Sequence, residues 1–287
     1  MKTCDQCGES YEIGHENYCS VACVIRSGKV REYEDYEESI QDYSLKPSPI
    51  FMGEDDYHMG MELETEHSGY HEVRIVKDLS KRLFYCKGDG SLDDGFEMVS
   101  HPGTLSFWHS QKRMLTSLSK RLIKAGVRSY DTSTCGIHIH VSKDALGGNF
   151  HYYKILTLLN REFVLHMTKR RNGNLDQWAT PLSDSDNKAA SESPRMYRRY
   201  MTVNRGENTF EFRIFRGTLH VPSIYKNLEF VHSVIEFTRN ASIEECTPEN
   251  YYLFINDKTQ YNHVRDYCQQ QEERAIERRA AEPSLVS

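Results

Sequence analysis

The sequence contains no apolar run that approaches the ~20 residues of a membrane-spanning helix. Its first residues, MKTCD, also lack the apolar core of a secretory signal peptide. We therefore expect a cytoplasmic protein without a membrane partner.

Excess positive charge is also absent, because the formal net charge is -6. A broad surface for the phosphates of a duplex needs clustered lysine and arginine, so we expect no extensive nucleic-acid binding. The Walker-type GxxxxGKS/T loop and the GxGxxG turn are missing as well. Any nucleotide must therefore be held by another arrangement of residues.

The composition is typical of a folded, soluble chain, with 38% hydrophobic and 27% charged residues. One domain usually takes ~100 to 200 residues, so 287 residues allow a full domain with an appendage. We predict a zinc-ribbon or knuckle-like module at 1–25, an acidic linker at 26–56, a main domain at 57–275 and a disordered tail at 276–287.

Four of the eight cysteines lie near the amino terminus with the spacing C-x2-C-x11-C-x3-C, namely Cys4, Cys7, Cys19 and Cys23. This spacing predicts a tetrahedral zinc site. A redox pair and two disulfides are the alternatives, but a reducing cytosol disfavours disulfides, and no strand-to-helix context supports a redox pair. Four thiolates leave no open coordination position, so the zinc would be structural and needed for this short segment to fold.

Apolar periodicity and turn signals predict an α+β main domain. The polar stretch at 172–194 is expected to be a long loop over a site. The remaining predicted elements are strands at 57–66, 83–88, 95–100, 136–142, 198–204 and 209–216, and helices at 71–82, 105–125, 150–170 and 223–239, with two more within 248–275.

Three predicted strands repeat one pattern, in which two ionisable side chains flank an apolar one. The segments are Glu62-Leu63-Glu64, His138-Ile139-His140 and Glu211-Phe212-Arg213. Successive side chains of a strand point to opposite faces, so each ionisable pair should share one surface while the apolar residues face the core. Glu97, in a short strand that Pro102 ends, adds another carboxylate.

Each segment also has an ordinary explanation. Glutamates are common on exposed strands, two histidines can be hydrogen-bonded core or edge residues, and Glu211 with Arg213 can be a salt bridge, which contributes little when exposed. Together, however, carboxylates suit divalent cations, imidazoles suit a metal ion or an anionic oxygen, and arginine suits a phosphate. The segments therefore predict one active site.

The ordered segments GMELETE, DGSL, FEMVSHP, CGIHIHV, YMTVN and FEFRIFRGTL resemble the amidoligase family of phages and bacteria, which is related to glutamine synthetase and glutamate-cysteine ligase. The resemblance spans Tyr57 to Leu219, and CGIHIH and FEFRIFRGT are its most specific parts. It implies a curved antiparallel sheet with helices packed on one face, as in the catalytic domain of glutamine synthetase. If a phage encodes the chain, the location would be the host cytoplasm.

The resemblance also implies roles for individual residues. The metal ligands would form two magnesium or manganese sets, one of Glu62 with His138 and Glu211, and one of Glu64 with Glu97. His140 and Arg213 would contact the ATP phosphates. Apart from the resemblance, Arg199 and Arg216, supported by Asn204, are further candidates for binding the nucleotide or the substrate carboxylate. Catalysis would rest on Glu62, Glu211 and Arg213.

The implied activity is that of an ATP-dependent carboxylate-amine ligase, which phosphorylates a carboxylate and lets an amine displace the phosphate. The acceptor would be an amino acid, a peptide or a macromolecule, and a homo-oligomer is a further option. Ser133-Thr134-Cys135-Gly136 stands where glutamine synthetase has Asn-Gly-Ser-Gly, so the substrates do not carry over. A metal-dependent hydrolase and a non-catalytic adaptor acting through the zinc module are the alternatives.

Overall fold

A six-stranded antiparallel sheet is the centre of the computed structural model, which describes residues 1–30, 40–55, 57–194 and 196–281. Two short strands, β1 (Lys2–Thr3) and β2 (Ser10–Tyr11), form a separate pair near the amino terminus. The large sheet has the spatial order β4-β5-β3-β6-β8-β7 and consists of β3 (Met59–Glu66), β4 (Phe84–Lys87), β5 (Gly95–Ser100), β6 (Gly136–Ser142), β7 (Val203–Arg205) and β8 (Thr209–Arg216). The antiparallel sheet with helices confirms the predicted α+β class, although the strand predicted at 198–204 is shorter.

The α-helices of the described residues are α1 (Val21–Arg26), α2 (Tyr70–Ser80), α3 (Leu105–Ser110), α4 (Lys112–Lys124), α5 (Asn149–Leu158), α6 (Arg161–Thr168), α7 (Asn172–Trp178), α8 (Asp184–Glu192), α9 (Val221–Asn240), α10 (Pro248–Asn256) and α11 (Asn262–Ala281). Two helices predicted as continuous, at 105–125 and 150–170, are each divided in two. In the second, the Asn160 side chain accepts the backbone N–H of Phe163 at 3.0 Å and so starts a new helix. Within the described residues, no helix has the length and apolar character needed to cross a bilayer.

The prediction of a long loop at 172–194 is wrong, because this stretch contains α7 and α8. Ser183 caps α8 by accepting the backbone N–H of Asp186 at 3.3 Å. Asn187 is buried and donates to the carbonyl oxygen of Leu156 on α5 at 3.4 Å. A polar helix of this kind is stabilised by its cap and by a distant partner, neither of which appears as apolar periodicity.

The apolar face of the large sheet forms the core. Met61 and Leu63 of β3, Ile137 and Ile139 of β6, and Phe212 of β8 are at most 2% exposed. Full burial of such a side chain contributes about 1.5 to 3 kcal/mol. The strict alternation along these strands therefore fixes which side chains remain on the opposite, ionisable face.

Helices cover this apolar face. Trp108 of α3 is fully buried and donates its indole N–H to the carbonyl oxygen of Met59 at 2.9 Å. Phe230 of α9 packs edge-on against Phe215 of β8, with ring centroids 6.0 Å apart. These contacts hold β3 and β8, which carry most of the ionisable residues, against a rigid layer.

The amino-terminal module packs on the main domain. The backbone N–H of Ala22 in α1 donates to the carbonyl oxygen of Lys81 at 3.1 Å, and that of Gly53 donates to Gly14 at 2.7 Å. Residues near 53, which belong to the predicted linker, thus touch the module directly. The boundaries at 25 and 56 stay predictions.

Parts of the predicted linker and tail lie outside the described residues. These parts are 31–39, position 56 and 282–287. The start of the predicted tail, 276–281, belongs to α11. The predicted tail therefore begins with helix rather than with irregular chain.

A buried carboxylate joins α9 to α11. Glu229 is 1% exposed and accepts the backbone N–H groups of His263 and Val264, at 2.8 and 3.1 Å, at the start of α11. Its Oε1 also lies 2.6 Å from Nδ1 of His263 and 3.1 Å from Nε2 of His109. Burial acts to raise the pKa of Glu229, but these histidines and N–H groups hold it below its usual range.

Glu229→Gln is expected to destabilise the protein by about 2 to 3 kcal/mol at neutral pH, because it leaves buried donors without their charged acceptor. A carboxyl with a depressed folded pKa stabilises above its ordinary value of about 4.5 and loses that contribution as pH falls through the folded pKa. The difference in unfolding free energy between wild type and variant should therefore shrink as the pH falls below about 4.5. Urea denaturation across pH measures it, and Glu272→Gln, exposed on α11, should match wild type throughout.

Candidate active site

The strand register brings ionisable residues of three strands to one face. β3 pairs with β6 so that Glu62 lies opposite His138. β6 pairs with β8 so that His140 lies opposite Glu211. Because side chains at paired positions point to the same side, these four residues form one group, which we call the strand-face cluster.

The side chains of the strand-face cluster are in direct contact. Nδ1 of His138 lies 3.3 Å from Oε2 of Glu62 and 3.5 Å from Oε1 of Glu211. Nε2 of His140 lies 3.2 Å from Oε1 of Glu62. The Glu62 and His140 side chains are 22% and 27% exposed, so a ligand can reach the cluster from solvent.

Three members of the cluster can hold one metal ion. Ligand atoms of Glu62, His140 and Glu211 all lie within 4.8 Å of one another. Two carboxylates and an imidazole suit manganese, and carboxylates with solvent access suit magnesium. The resemblance placed His138 in this set instead, whereas His138 lies more deeply, with its Nε2 3.8 Å from Glu64. Which histidine binds a metal ion stays a prediction.

The charges of the strand-face cluster shift the pKa values of its members. Burial acts to lower the pKa of His140, but the Glu62 carboxylate outweighs it and raises that pKa to about 9. The pKa of His138 is also raised, because Glu64 and Glu62 outweigh burial. Burial opposes ionisation of Glu62, yet the two histidines hold its pKa well below the usual range. A metal ion bound at His140 must therefore displace a proton.

A second carboxylate pair lies beside the cluster. Glu64 of β3 is opposite Glu97 of β5, and both are at most 5% exposed. Glu64 accepts the backbone N–H of Gly136, and Glu97 pairs with Lys87 of β4 at 3.0 Å. Burial and the charge of Glu62 raise the pKa of Glu97 to about 7, against the effect of Lys87. A divalent cation here would offset this unfavourable burial of negative charge.

Arg213, two residues further along β8, and Asn204 of the edge strand β7 both contact Glu211. Arg213 donates Nη1 to Glu211, and Asn204 donates to it at 3.2 Å and to the carbonyl oxygen of Arg199 at 2.8 Å. The Arg213 and Arg199 guanidinium groups lie 5.9 and 5.3 Å from the ring of Tyr200. Within the described residues, Nε of Arg213 and Oδ1 of Asn204 are buried without a hydrogen-bond partner. An unpaired donor and acceptor at one site are typical of a place where a ligand or ordered water binds.

Arg216 lies beyond an irregularity in β8. Ile139 pairs with Phe212, but Ile137 pairs with Phe215, so β8 contains an extra residue between these pairs. Past this bulge, Arg216 donates Nη2 to Asp131 at 2.5 Å. Of the sequence-predicted nucleotide contacts, Arg213, Asn204 and Arg199 therefore group together, whereas Arg216 pairs elsewhere.

Two residues of the site were not predicted from the sequence. Lys87 neutralises Glu97 through cross-strand pairing, which only the register reveals. Arg170 follows α6 and donates Nε to the carbonyl oxygen of Phe215 at 3.2 Å. A Cβ atom on Gly136 would lie 2.7 Å from Nη2 of Arg170. The glycine therefore lets Arg170 approach β6, where burial lowers its pKa to about 10.

The four amino-terminal cysteines converge as the spacing predicts. Their sulfur atoms all lie within 4.8 Å of one another, with Sγ of Cys19 3.6 Å from Cys7 and 3.7 Å from Cys23. Tetrahedral zinc with ~2.3 Å bonds separates its sulfur ligands by roughly 3.8 Å, whereas a disulfide requires about 2.05 Å. All four thiols are free. The geometry fits one zinc ion rather than two disulfides.

Backbone donors prepare one of these thiols for a metal. Burial acts to raise the pKa of Cys4, but the N–H groups of Cys19, Cys7 and Gln6 lower it to about 6. The thiolate is the form that binds zinc. At neutral pH, Cys4 can therefore bind zinc as a thiolate with little free-energy cost of deprotonation.

The fold and site together define a mixed α/β protein whose antiparallel sheet carries a carboxylate and histidine face, with a four-cysteine module at one end. No protein-family model matches the sequence, and none of the curated proteins matches it. Among solved structures, it is similar to a chain in the crystal structure of the complex between the prokaryotic ubiquitin-like protein Pup and its ligase PafA, with 12% identity and a TM-score of 0.31. The match covers 75% of this chain and 58% of that chain. A likeness this weak carries no functional conclusion.

Proposed function

We propose that this chain is a cytoplasmic, ATP-dependent carboxylate-amine ligase that uses magnesium or manganese and acts on an amino acid, peptide or macromolecular acceptor. The main support is the strand-face cluster, in which Glu62, His140 and Glu211 can share an ion next to Arg213. Metal-dependent hydrolysis depends above all on a metal-bound water. Phosphoryl transfer also uses a cationic donor at the phosphate, and the unpaired Nε of Arg213 can supply it.

The proposed reaction has two steps. A carboxylate oxygen of the substrate attacks the γ-phosphorus of ATP, and the bond to the bridging oxygen breaks, which gives an acyl phosphate and ADP. The amine nitrogen then attacks the carbonyl carbon, phosphate leaves, and the amine releases a proton. Each turnover forms one amide and consumes one ATP.

The residues of the site have distinct roles in this proposal. Glu62, His140 and Glu211 would hold one ion, and Glu64 with Glu97 would contribute to a second. Such an ion, when bound, supplies positive charge that offsets the phosphates. Arg213 would donate to a phosphoryl oxygen in a charge-assisted hydrogen bond. Asn204 positions Glu211 through its amide N–H, and Lys87 balances Glu97.

The purified protein is expected to release ADP and phosphate from ATP only when Mg²⁺ or Mn²⁺ and an acceptor mixture are both present. Pooled amino acids, polyamines, peptidoglycan fragments and cell extract would be supplied in turn, because the site does not specify the acid or the amine. Mass spectrometry should find a product lighter by one water than its two parts. Omission of the added metal should stop ADP release, since the carboxylates then lack their counter-charge.

Three outcomes would contradict the ligase. Metal-dependent product formation without ATP use would favour the hydrolase. Absence of ATP binding and consumption with either metal would favour the adaptor. Full activity of Arg213→Met would show that the reaction does not need the phosphate contact on which the proposal depends. Manganese affinity of this variant should stay close to wild type, because Arg213 is not among the proposed ligands.

A further inference from the structure

A basic pocket lies at the amino-terminal end of α9, separate from the strand-face cluster. Its volume is about 310 Å³, and among the described residues no aspartate or glutamate lines it. Its basic lining residues are Lys169, Arg216, His220 and Lys226. The chain has a formal net charge of -6, so a pocket lined by several bases and no acid is a local concentration of positive charge, which favours an anionic ligand.

Two lysines of this pocket share one aromatic ring. The Nζ atoms of Lys169 and Lys226 each lie 5.0 Å from the ring centroid of Tyr267. Lys226 is 3% exposed, and its ammonium donates to the carbonyl oxygen of Met167 at 2.5 Å. Burial and the charge of Lys169 lower the pKa of Lys226 to about 7. Cation and ring contacts do not neutralise charge, so an anion would stabilise this pair strongly.

Further donors complete the basic pocket. Thr218 and Ser223 bring hydroxyl groups, and the 20-residue helix α9 begins here with its positive dipole end. Arg216 pairs with Asp131, which lies outside the lining. That pairing offsets one guanidinium, whereas neither lysine has an acidic partner among the residues that the structure describes.

An apolar cleft of about 540 Å³ adjoins the basic pocket. The two cavities share Tyr130 and His220 in their walls. Aliphatic side chains of Ile123, Leu219 and Pro222 line the cleft. Ile123 is 50% exposed and Tyr130 is 46% exposed. Large apolar side chains left open beside a charged pocket are typical of a binding surface.

We propose that the two cavities together bind an aliphatic phosphate ester, with the phosphate in the basic pocket and the chain in the apolar cleft. A phosphate offers several acceptor oxygens and up to two negative charges, which matches two lysines, the hydroxyl groups and a helix amino terminus. The aliphatic side chains of Ile123, Leu219 and Pro222 in the cleft suit a hydrocarbon chain. This site is independent of the proposed ligase reaction.

Calorimetric titration with n-octyl phosphate below its micelle concentration tests the proposal. We expect one site per chain and an affinity at least ~10-fold above that for inorganic phosphate or n-octanol, because neither of these fills both cavities. Lys169→Ala and Lys226→Met should each lower the affinity for octyl phosphate about 10-fold. Ile123→Ser should lower it as well, without changing the affinity for inorganic phosphate.

The variants are chosen so that each result either supports or contradicts the proposed phosphate-ester site. Lys169 is exposed, and methionine at 226 replaces a buried charge by an apolar chain of similar size, so both proteins should fold. Lys124→Ala, on α4 but outside both linings, should bind like wild type. Equal affinity for octyl phosphate and inorganic phosphate, or unchanged binding in both lysine variants, would overturn the proposal. Binding is measured without ATP turnover, so failure here leaves the ligase test unaffected.

Discussion

Glu211→Gln is expected to lower the rate of ADP release at least ~1,000-fold at saturating ATP and acceptor. The reason is that Glu211 connects the first proposed metal set to Arg213 and Asn204. It lies within 4.8 Å of ligand atoms from Glu62 and His140, pairs with Arg213, and accepts the Asn204 amide at 3.2 Å. Glutamine keeps the shape but removes the charge, so a metal ligand and the partner of the arginine are lost together.

Two measurements distinguish a loss of metal binding in Glu211→Gln from a loss of folding. Electron paramagnetic resonance of bound Mn²⁺ should show metal affinity reduced at least ~10-fold, while a thermal melt should show a folded protein. Glu207→Gln is the matched control, because Glu207 is exposed on the turn of the same β7–β8 hairpin. Only its backbone carbonyl accepts a hydrogen bond in the described structure, from Lys143 at 2.8 Å. This control should keep the wild-type rate, and a Glu211→Gln rate above about a tenth of wild type would exclude an essential role.

The two faces of the sheet could be predicted from the sequence because side-chain alternation is local. Glu62, His138 and Glu211 each follow or precede an apolar residue in a strand, so their common face requires only that the strands pair. The same rule places Ile139 and Phe212 in the core, where both are fully buried. Local pattern therefore accounts for the composition of the face.

The contacts across that face could not be predicted, because they depend on register and on distant elements. The salt bridge between Lys87 and Glu97 follows from the alignment of β4 with β5. The grouping of both His138 and His140 with Glu62 and Glu211 follows from how three strands align. Arg170 arrives from the end of α6, far along the chain from the cluster. Sequence spacing does not contain these long-range relations.

The second large effect concerns the zinc module. Cys19→Ser is expected to weaken zinc binding at least ~1,000-fold, because structural zinc contributes ~10 to 16 kcal/mol in small modules and depends on its full thiolate set. Sγ of Cys19 lies 3.6 and 3.7 Å from the sulfurs of Cys7 and Cys23. Competition with a chromophoric chelator measures the affinity, and wild type should hold one zinc per chain.

Cys246→Ser is the matched control. Its buried thiol donates to the carbonyl oxygen of Ser242 at 3.1 Å, a hydrogen bond that a serine hydroxyl can keep. This variant should retain one zinc per chain. Wild-type zinc content in Cys19→Ser would contradict a four-thiolate site.

Loss of zinc should also open the module while the large sheet persists. The module is joined to the main domain by local contacts, such as the hydrogen bonds from Ala22 to Lys81 and from Gly53 to Gly14. The core of the sheet, by contrast, is closed by helices that do not involve the cysteines, as Trp108 shows. Hydrogen exchange should therefore accelerate at 1–30 in Cys19→Ser and stay slow in β3 and β6. Fast exchange throughout the large sheet would instead show that the zinc module is required for the main domain to fold.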